Sequence, residues 1–144
     1  MKRLISTLTL VASTAVFSTH ALASTIDFHI DGIKDNKGKL YIQLFKGEED
    51  YHNGKARAAT IVTADSHSKT VTFNNIDAGE YALRFFHDEN DNGQLDTNLF
   101  GLPSEGYGFS NDAKPNFGPV QYDEIKFVVD EATETTSNTT HVIY

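Results

Sequence analysis

The feature that most constrains this chain is a period of two in its apolar residues. Ile26, Phe28 and Ile30 alternate with Asp27 and His29, and Leu40, Ile42 and Leu44 alternate with Tyr41, Gln43 and Phe45. Val71 and Phe73 alternate with Thr70 and Thr72. Tyr81, Leu83 and Phe85 alternate with Ala82, Arg84 and Phe86, and Ile125, Phe127 and Val129 alternate with Lys126, Val128 and Asp130. Successive side chains of a strand point to opposite faces, so short runs of this kind describe strands with one face buried. Residues 60–63 and 139–144 supply two weaker runs.

Turn-forming residues separate these runs: Asp31-Gly32, residues 36–38, Asn53-Gly54, Asn74-Asn75 and Ala78-Gly79. Asn, Asp and Gly tolerate the backbone angles of tight turns. No stretch has the period of a three-turn amphipathic helix; residues 47–59 read as a loop or one helical turn, and the Ser/Thr/Asn-rich residues 133–140 as a hairpin connection. The expected architecture is all-β, a seven-stranded antiparallel Greek-key sandwich of two sheets with one long ordered loop.

The start of the chain reads as an export signal. Lys2 and Arg3 precede an apolar run over residues 4–17, and Ala21-Leu22-Ala23 has the small-x-small pattern of a signal peptidase site. The apolar run falls short of the ~20 residues that span a bilayer, so cleavage after Ala23 is expected. The mature part, residues 24–144, is then a single periplasmic or secreted domain with no integral membrane segment. The chain has no cysteine, which excludes disulfides, thiol catalysis and thiolate metal sites. Its formal net charge is −8, and Lys and Arg form no extended cluster. Binding to nucleic acid or anionic lipid is disfavoured by repulsion.

Residues 88–121 break the strand pattern. They carry Phe100, Leu102, Tyr107, Phe109, Phe117 and Val120, more apolar surface than a disordered segment leaves in water. The expectation is an ordered loop, packed over one end or edge of the sandwich, that carries function.

Its first part has the spacing of a cation site. In HDENDNGQLDTN, residues 87–98, Asp88, Asn90, Asn92 and Asp96 stand at loop positions 1, 3, 5 and 9. Gly93 occupies position 6, and the carbonyl of Gln94 lies at position 7. Short oxygen-bearing side chains at alternate positions converge on one point while the chain curls around it, the geometry hard cations require. Position 12 is Leu99, so the bidentate glutamate of an EF-hand is missing. Glu105 is the candidate to reach back in its place. Calcium is the expected ion, with affinity on the order of 0.1–1 mM. The metal candidates are thus Asp88, Asn90, Asn92, Gln94, Asp96 and Glu105, with no organic cofactor. Asp and Asn bonded to their own backbone in a turn-rich loop are the plain alternative.

Other chemistry has less support. The histidines are scattered without paired metal spacing, and no G-x-S-x-G elbow surrounds Ser104 or Ser110. Tyr107, Phe109 and Phe117 form either an aromatic platform or a cover for the sheet edge. His87, Tyr107, Phe109, Ser110 and Asn111 are the candidate ligand-contacting residues.

The chain resembles the bacterial domain of unknown function 2141 family. The resemblance rests on Gly79-Glu80-Tyr81-Ala82, the block His87 to Asp96, the block Gly101 to Asn111, and Phe117-Gly118-Pro119, with Val120 where a second proline is usual. It implies a small exported protein with a sandwich like transthyretin-type or adhesin-stalk domains, and it brings no established activity.

Three functional classes follow. The first is a module whose calcium-ordered loop presents Tyr107, Phe109 and nearby polar groups to a small ligand or an envelope protein. The second is a metal-dependent periplasmic enzyme using residues 87–121; the residue content leans away from an enzyme, because the His and Tyr needed for such centres are sparse. The third is a structural subunit of an envelope assembly that pairs through its last strand.

Overall fold

The computed structural model describes residues 24–144. The export signal read over residues 1–23 lies outside the described residues.

The strands are β1 (Ser24–Asp31), β2 (Lys39–Lys46), β3 (Ala58–Thr63), β4 (Ser68–Ile76), β5 (Gly79–Asp88), β6 (Gly106–Phe109), β7 (Phe127–Val129) and β8 (Thr135–His141). Two short helices, α1 (Glu48–His52) and α2 (Tyr122–Ile125), and a 3-10 turn at Ser110–Asp112 complete the elements. One sheet has the order β4-β1-β8; the other runs β3-β2-β5-β6, with β7 also paired to β5.

Alternation sets the packing. Ile26, Phe28 and Ile30 of β1, Leu40, Ile42 and Leu44 of β2, and Tyr81, Leu83 and Phe85 of β5 are buried in a single cluster with Val71, Phe73 and Ile76 of β4. The two sheets therefore face each other across this cluster, and Phe28 meets Phe85 edge-to-face at 6.0 Å between ring centroids. Each such side chain contributes roughly 1.5–3 kcal/mol on burial.

The opposite face of the β5 sheet is also partly covered. Ala82, Tyr122 and Ile125 are buried there, with Tyr51, Phe109, Ala113 and Val120 packed around them. Alpha-helical turns α1 and α2 thus act as a lid on one end of that face.

The structure corrects the sequence reading at several points. There are eight strands rather than seven, because residues 106–109 inside the supposed loop form β6 against β5. Gly106-Tyr107-Gly108-Phe109 is itself a period-two pattern in which glycine takes the inward places. A Cβ on Gly108 would stand 2.5 Å from Phe85 Cε1, and one on Gly106 would stand 2.6 Å from Val142 Cγ1 and Tyr144 Cε1. Large neighbours fill the space from the other side, so the apolar signal of this strand is absent from its own sequence.

The arrangement is not wholly antiparallel, since β8 runs parallel to β1, with Phe28 opposite Asn138 and Ile30 opposite Thr140. The polar patch read as a hairpin is this strand. Asn138 and Thr140 point inward and are buried, and Asn138 satisfies its amide by a reciprocal pair with Asn111: Asn111 N–H donates to Asn138 Oδ1 at 2.8 Å, and Asn138 Nδ2 donates to Asn111 Oδ1 at 2.7 Å. Ile125 ends α2 instead of opening β7. Past β8, which lies at the edge of its sheet, Ile143 pairs with Tyr107 of β6. The helical turn allowed at residues 47–59 is present as α1.

Replacing Gly108 with alanine is expected to cost about 1–3 kcal/mol through overpacking against Phe85. Gly118→Ala, where nothing lies within 4 Å of the added carbon, is expected to stay within about 0.5 kcal/mol. Urea unfolding of the two variants against the parent checks the contrast.

Candidate functional site

Strand β5 delivers its chain directly into the acidic loop. Asp88, the last residue of β5, is fully buried. Its Oδ1 accepts the Asn92 N–H at 3.0 Å and its Oδ2 accepts the Gly93 N–H at 2.8 Å. Gly93 makes the turn at φ +77°, a region that L side chains enter only with strain. Glu105 does reach back, onto backbone: its Oε1 accepts Glu89 N–H at 2.9 Å and its Oε2 accepts Asp96 N–H at 3.0 Å. Two buried carboxylates thus close the loop by capturing four amides. Ionised acceptors make such bonds about twice as strong as neutral ones.

Asn90, Asn92 and Asp96 come together. Asn90 Nδ2 donates to Asp96 Oδ2 at 2.6 Å, and Asn92 Nδ2 donates to both Asp96 oxygens at 3.0 and 3.1 Å. Each amide oxygen caps its own turn: Asn90 Oδ1 accepts Asn92 N–H at 3.0 Å, and Asn92 Oδ1 accepts Gln94 N–H at 2.8 Å. Among the described residues no three His, Cys, Asp or Glu side chains gather as a metal-holding group. The oxygens that a hard cation would use are here engaged by N–H donors, and Gln94 is exposed. A cation here would require the Asn90 and Asn92 amides to present their oxygens in place of the Nδ2 groups that now face Asp96.

Beyond Asp96 the chain forms a small hairpin. Thr97 pairs with Pro103, Asn98 N–H donates to the Leu102 carbonyl at 2.8 Å, and Ser104 N–H donates to the Asp96 carbonyl at 2.9 Å. The apolar residues of the hairpin tip are not packed away as expected: Leu99, Phe100 and Leu102 are exposed, and so is Phe117. The hydrogen bonds of the hairpin order this segment without burying its side chains.

The outward face of the five-stranded sheet holds a groove. Register places Tyr41 beside Phe86 and Phe86 beside Tyr107, and in the next row Gln43 beside Arg84 and Arg84 beside Phe109. Tyr41 and Phe86 stack with ring centroids 4.8 Å apart. Tyr51 from α1 closes one end and Leu95 from the acidic loop closes the other, around a cavity of about 380 Å³. A second hollow of about 550 Å³ continues past Tyr51, Tyr107 and Phe109 toward Leu102, Pro103 and Pro119. Ligand sites are of this size and are lined mainly by apolar and aromatic groups with a few convergent polar ones.

The polar groups here are Arg84 and Gln43. Arg84 Nε donates to Gln43 Oε1 at 2.9 Å. Its guanidinium carbon lies 4.8 Å from the Phe45 ring centroid and 5.7 Å from that of Tyr51. Burial pushes the Tyr51 phenol above its ordinary range, with the Arg84 charge pulling the other way.

Tyr107 and Phe109 thus stand on the groove, whereas the other candidate ligand contacts do not. His87 is fully buried on the inward face. Its Nε2–H donates to the Lys37 carbonyl at 2.7 Å, which leaves Nδ1 to accept from the Tyr144 hydroxyl at 2.8 Å. Ser110 is fully buried; its Oγ accepts Leu83 N–H at 2.9 Å and donates to the Ile125 carbonyl at 2.5 Å. Asn111 Nδ2 donates to the Glu124 and Lys126 carbonyls at 3.1 and 2.8 Å. These three fasten the loop to the sheets. Arg84, Gln43, Tyr41 and Phe86 were missed as site residues because each sits in a run read only for its strand period, and Tyr51 because residues 47–59 were read only as a loop or one helical turn. The outward places of β5 carried the available signal: Arg84 and Phe86 are a cation and a large ring where small polar residues suffice.

Glu105→Gln is expected to leave one of two buried amides facing an N–H donor, at a cost of about 1–3 kcal/mol. Hydrogen exchange should then speed up at the Glu89 and Asp96 amides while β1 and β2 keep their protection.

No curated protein and no solved structure matches the chain. A family model described as "uncharacterized protein conserved in bacteria (DUF2141)" matches residues 28–137, and its span takes in both the acidic loop and the groove strands. The chain belongs to this bacterial family.

Proposed function

We propose that this protein is an exported cell-envelope binding module that holds a small ligand in the groove on the outward face of its larger sheet, with a calcium-responsive loop as the rim. The observation that carries the reading is the convergence of Arg84 and Gln43 on the floor of an aromatic-walled hollow. A sheet face with no ligand needs neither a half-buried cation nor a row of rings beside it. The export signal over residues 1–23 supports placement outside the cytoplasm. The crossing of the chain between sheets from β3 to β4 and back to β5 supports a Greek-key sandwich of transthyretin or immunoglobulin type.

The rim assignment rests on the gathering of Asn90, Asn92 and Asp96. Leu95 belongs to the same loop and lines the groove, so ordering the loop fixes one wall. Calcium supplies positive charge that the loop's own donors replace only in part.

Two measurements test the two halves. Naphthalene-2-carboxamide, an uncharged ring probe, should shift the backbone amide resonances of Arg84, Phe86 and Phe109 of the purified protein; shifts elsewhere only would contradict the groove. For a dissociation constant of ~0.1 mM, ~2 mM calcium adds about 1.8 kcal/mol, a rise in melting temperature of roughly 5–9 °C. Asp96→Ala should abolish that rise, and a melt unmoved by calcium removes the ion from the account.

A further inference from the structure

We infer that the ligand of this groove is a small organic carboxylate, an acid group joined to an aromatic or apolar body, with Arg84 receiving the acid. The inference rests on the groove reading above.

Charge pairing sets Arg84 apart. Lys37, Lys39, Lys46, Lys55, Lys69, Lys114 and Lys126 each lie against an Asp or Glu. Lys34 and Arg57 are exposed to water. Among the described residues Arg84 alone is a half-buried cation with no carboxylate partner. A guanidinium in that position has lost part of its hydration and gained no counterion.

The lining tells the same story from the other side. The chain carries 20 Asp and Glu residues, yet none lines either hollow. An acidic protein that keeps acid out of one groove and places an arginine on its floor offers an anion a positive partner with no lining carboxylate to compete. Repulsion from the remaining surface is screened beyond ~8 Å at physiological ionic strength, so it slows arrival more than it weakens the bound state.

Donor geometry then selects the acid. A guanidinium has five N–H donors in a planar fork, and only Nε is engaged, by Gln43. The Phe45 and Tyr51 rings hold the head by cation–π contact without using its N–H groups. The Nη edge remains for a group that accepts two parallel bonds, which is the shape of a carboxylate. A single arginine matches a single negative charge. Phe86, Tyr107 and Phe109 beside it accommodate the apolar body.

The test compares naphthalene-2-carboxylate with its uncharged isostere naphthalene-2-carboxamide, by calorimetry and amide shifts near neutral pH. In the parent protein the carboxylate should bind about 10- to 100-fold more tightly, the range expected for hydrogen bonds to a charged group. Arg84→Gln should erase that preference, the carboxylate losing about tenfold or more in affinity beyond whatever the carboxamide loses; Arg84→Lys, which keeps the charge and loses the fork, should retain part of it. Added salt should weaken the carboxylate alone. Equal affinities in the parent, or a preference that survives Arg84→Gln, overturn the carboxylate assignment and leave the groove standing. If neither probe moves the groove amides, the groove falls and the assignment falls with it.

Discussion

Strand β5 is buried on one face and partly covered on the other, and most of the molecule follows from that. Tyr81, Leu83, Phe85 and His87 enter the space between the sheets, while Ala82, Arg84 and Phe86 form the middle of the opposite face. A slip of one residue in its pairing with β2 would exchange the two sets, sending a guanidinium into the core and Leu83 into the groove. The core therefore fixes the site: each apolar residue held inward holds its neighbour outward. Arg84 stands where it does because Leu83 and Phe85 have nowhere else to go. The same strand ends in Asp88, so core, groove and acidic loop hang on a single register.

Acid in this chain works mainly as an acceptor for the backbone. Asp88 and Glu105 are buried without a cation, and each is satisfied by two amides of the loop. A buried carboxylate is tolerable only when its oxygens are occupied, and these give a glycine-rich connection the fixed path it lacks by burial. Gly38 belongs to the same arrangement; at φ +75° it lies so close to the Asp88 carbonyl that a side chain would overlap it. The ion proposed at Asp96 would add to a loop that is already closed at both ends by these two carboxylates.

The strands with apolar period two were legible from sequence because their burial is written in their own side chains. Strand β6 was not, since Gly106 and Gly108 leave the filling of that space to Val142, Tyr144 and Phe85, residues far away in the chain. Strand β8 was legible only at its end, from residue 139, and the rest was hidden by the opposite device: Asn138 and Thr140 face inward, where an apolar residue is the usual signal, and Asn138 finds its partner in Asn111. The D-x-N-x-N-G spacing singled out Asn90, Asn92 and Asp96, whose side chains hydrogen-bond one another, but the roles of Asp88 and Glu105 as amide acceptors depend on backbone positions that no spacing specifies. Of the groove only Tyr107 and Phe109 were legible, because its floor is a cross-strand row drawn from β2, β5 and β6, and neighbours across a sheet are invisible until register is known.

The most direct measurement is a crystal structure of the protein with naphthalene-2-carboxylate bound. The carboxylate should lie within hydrogen-bond distance of both Nη atoms of Arg84, with the ring system between Phe86 and Phe109. Density for the probe at another surface, or an Arg84 head folded onto an Asp or Glu of its own chain, would contradict the account.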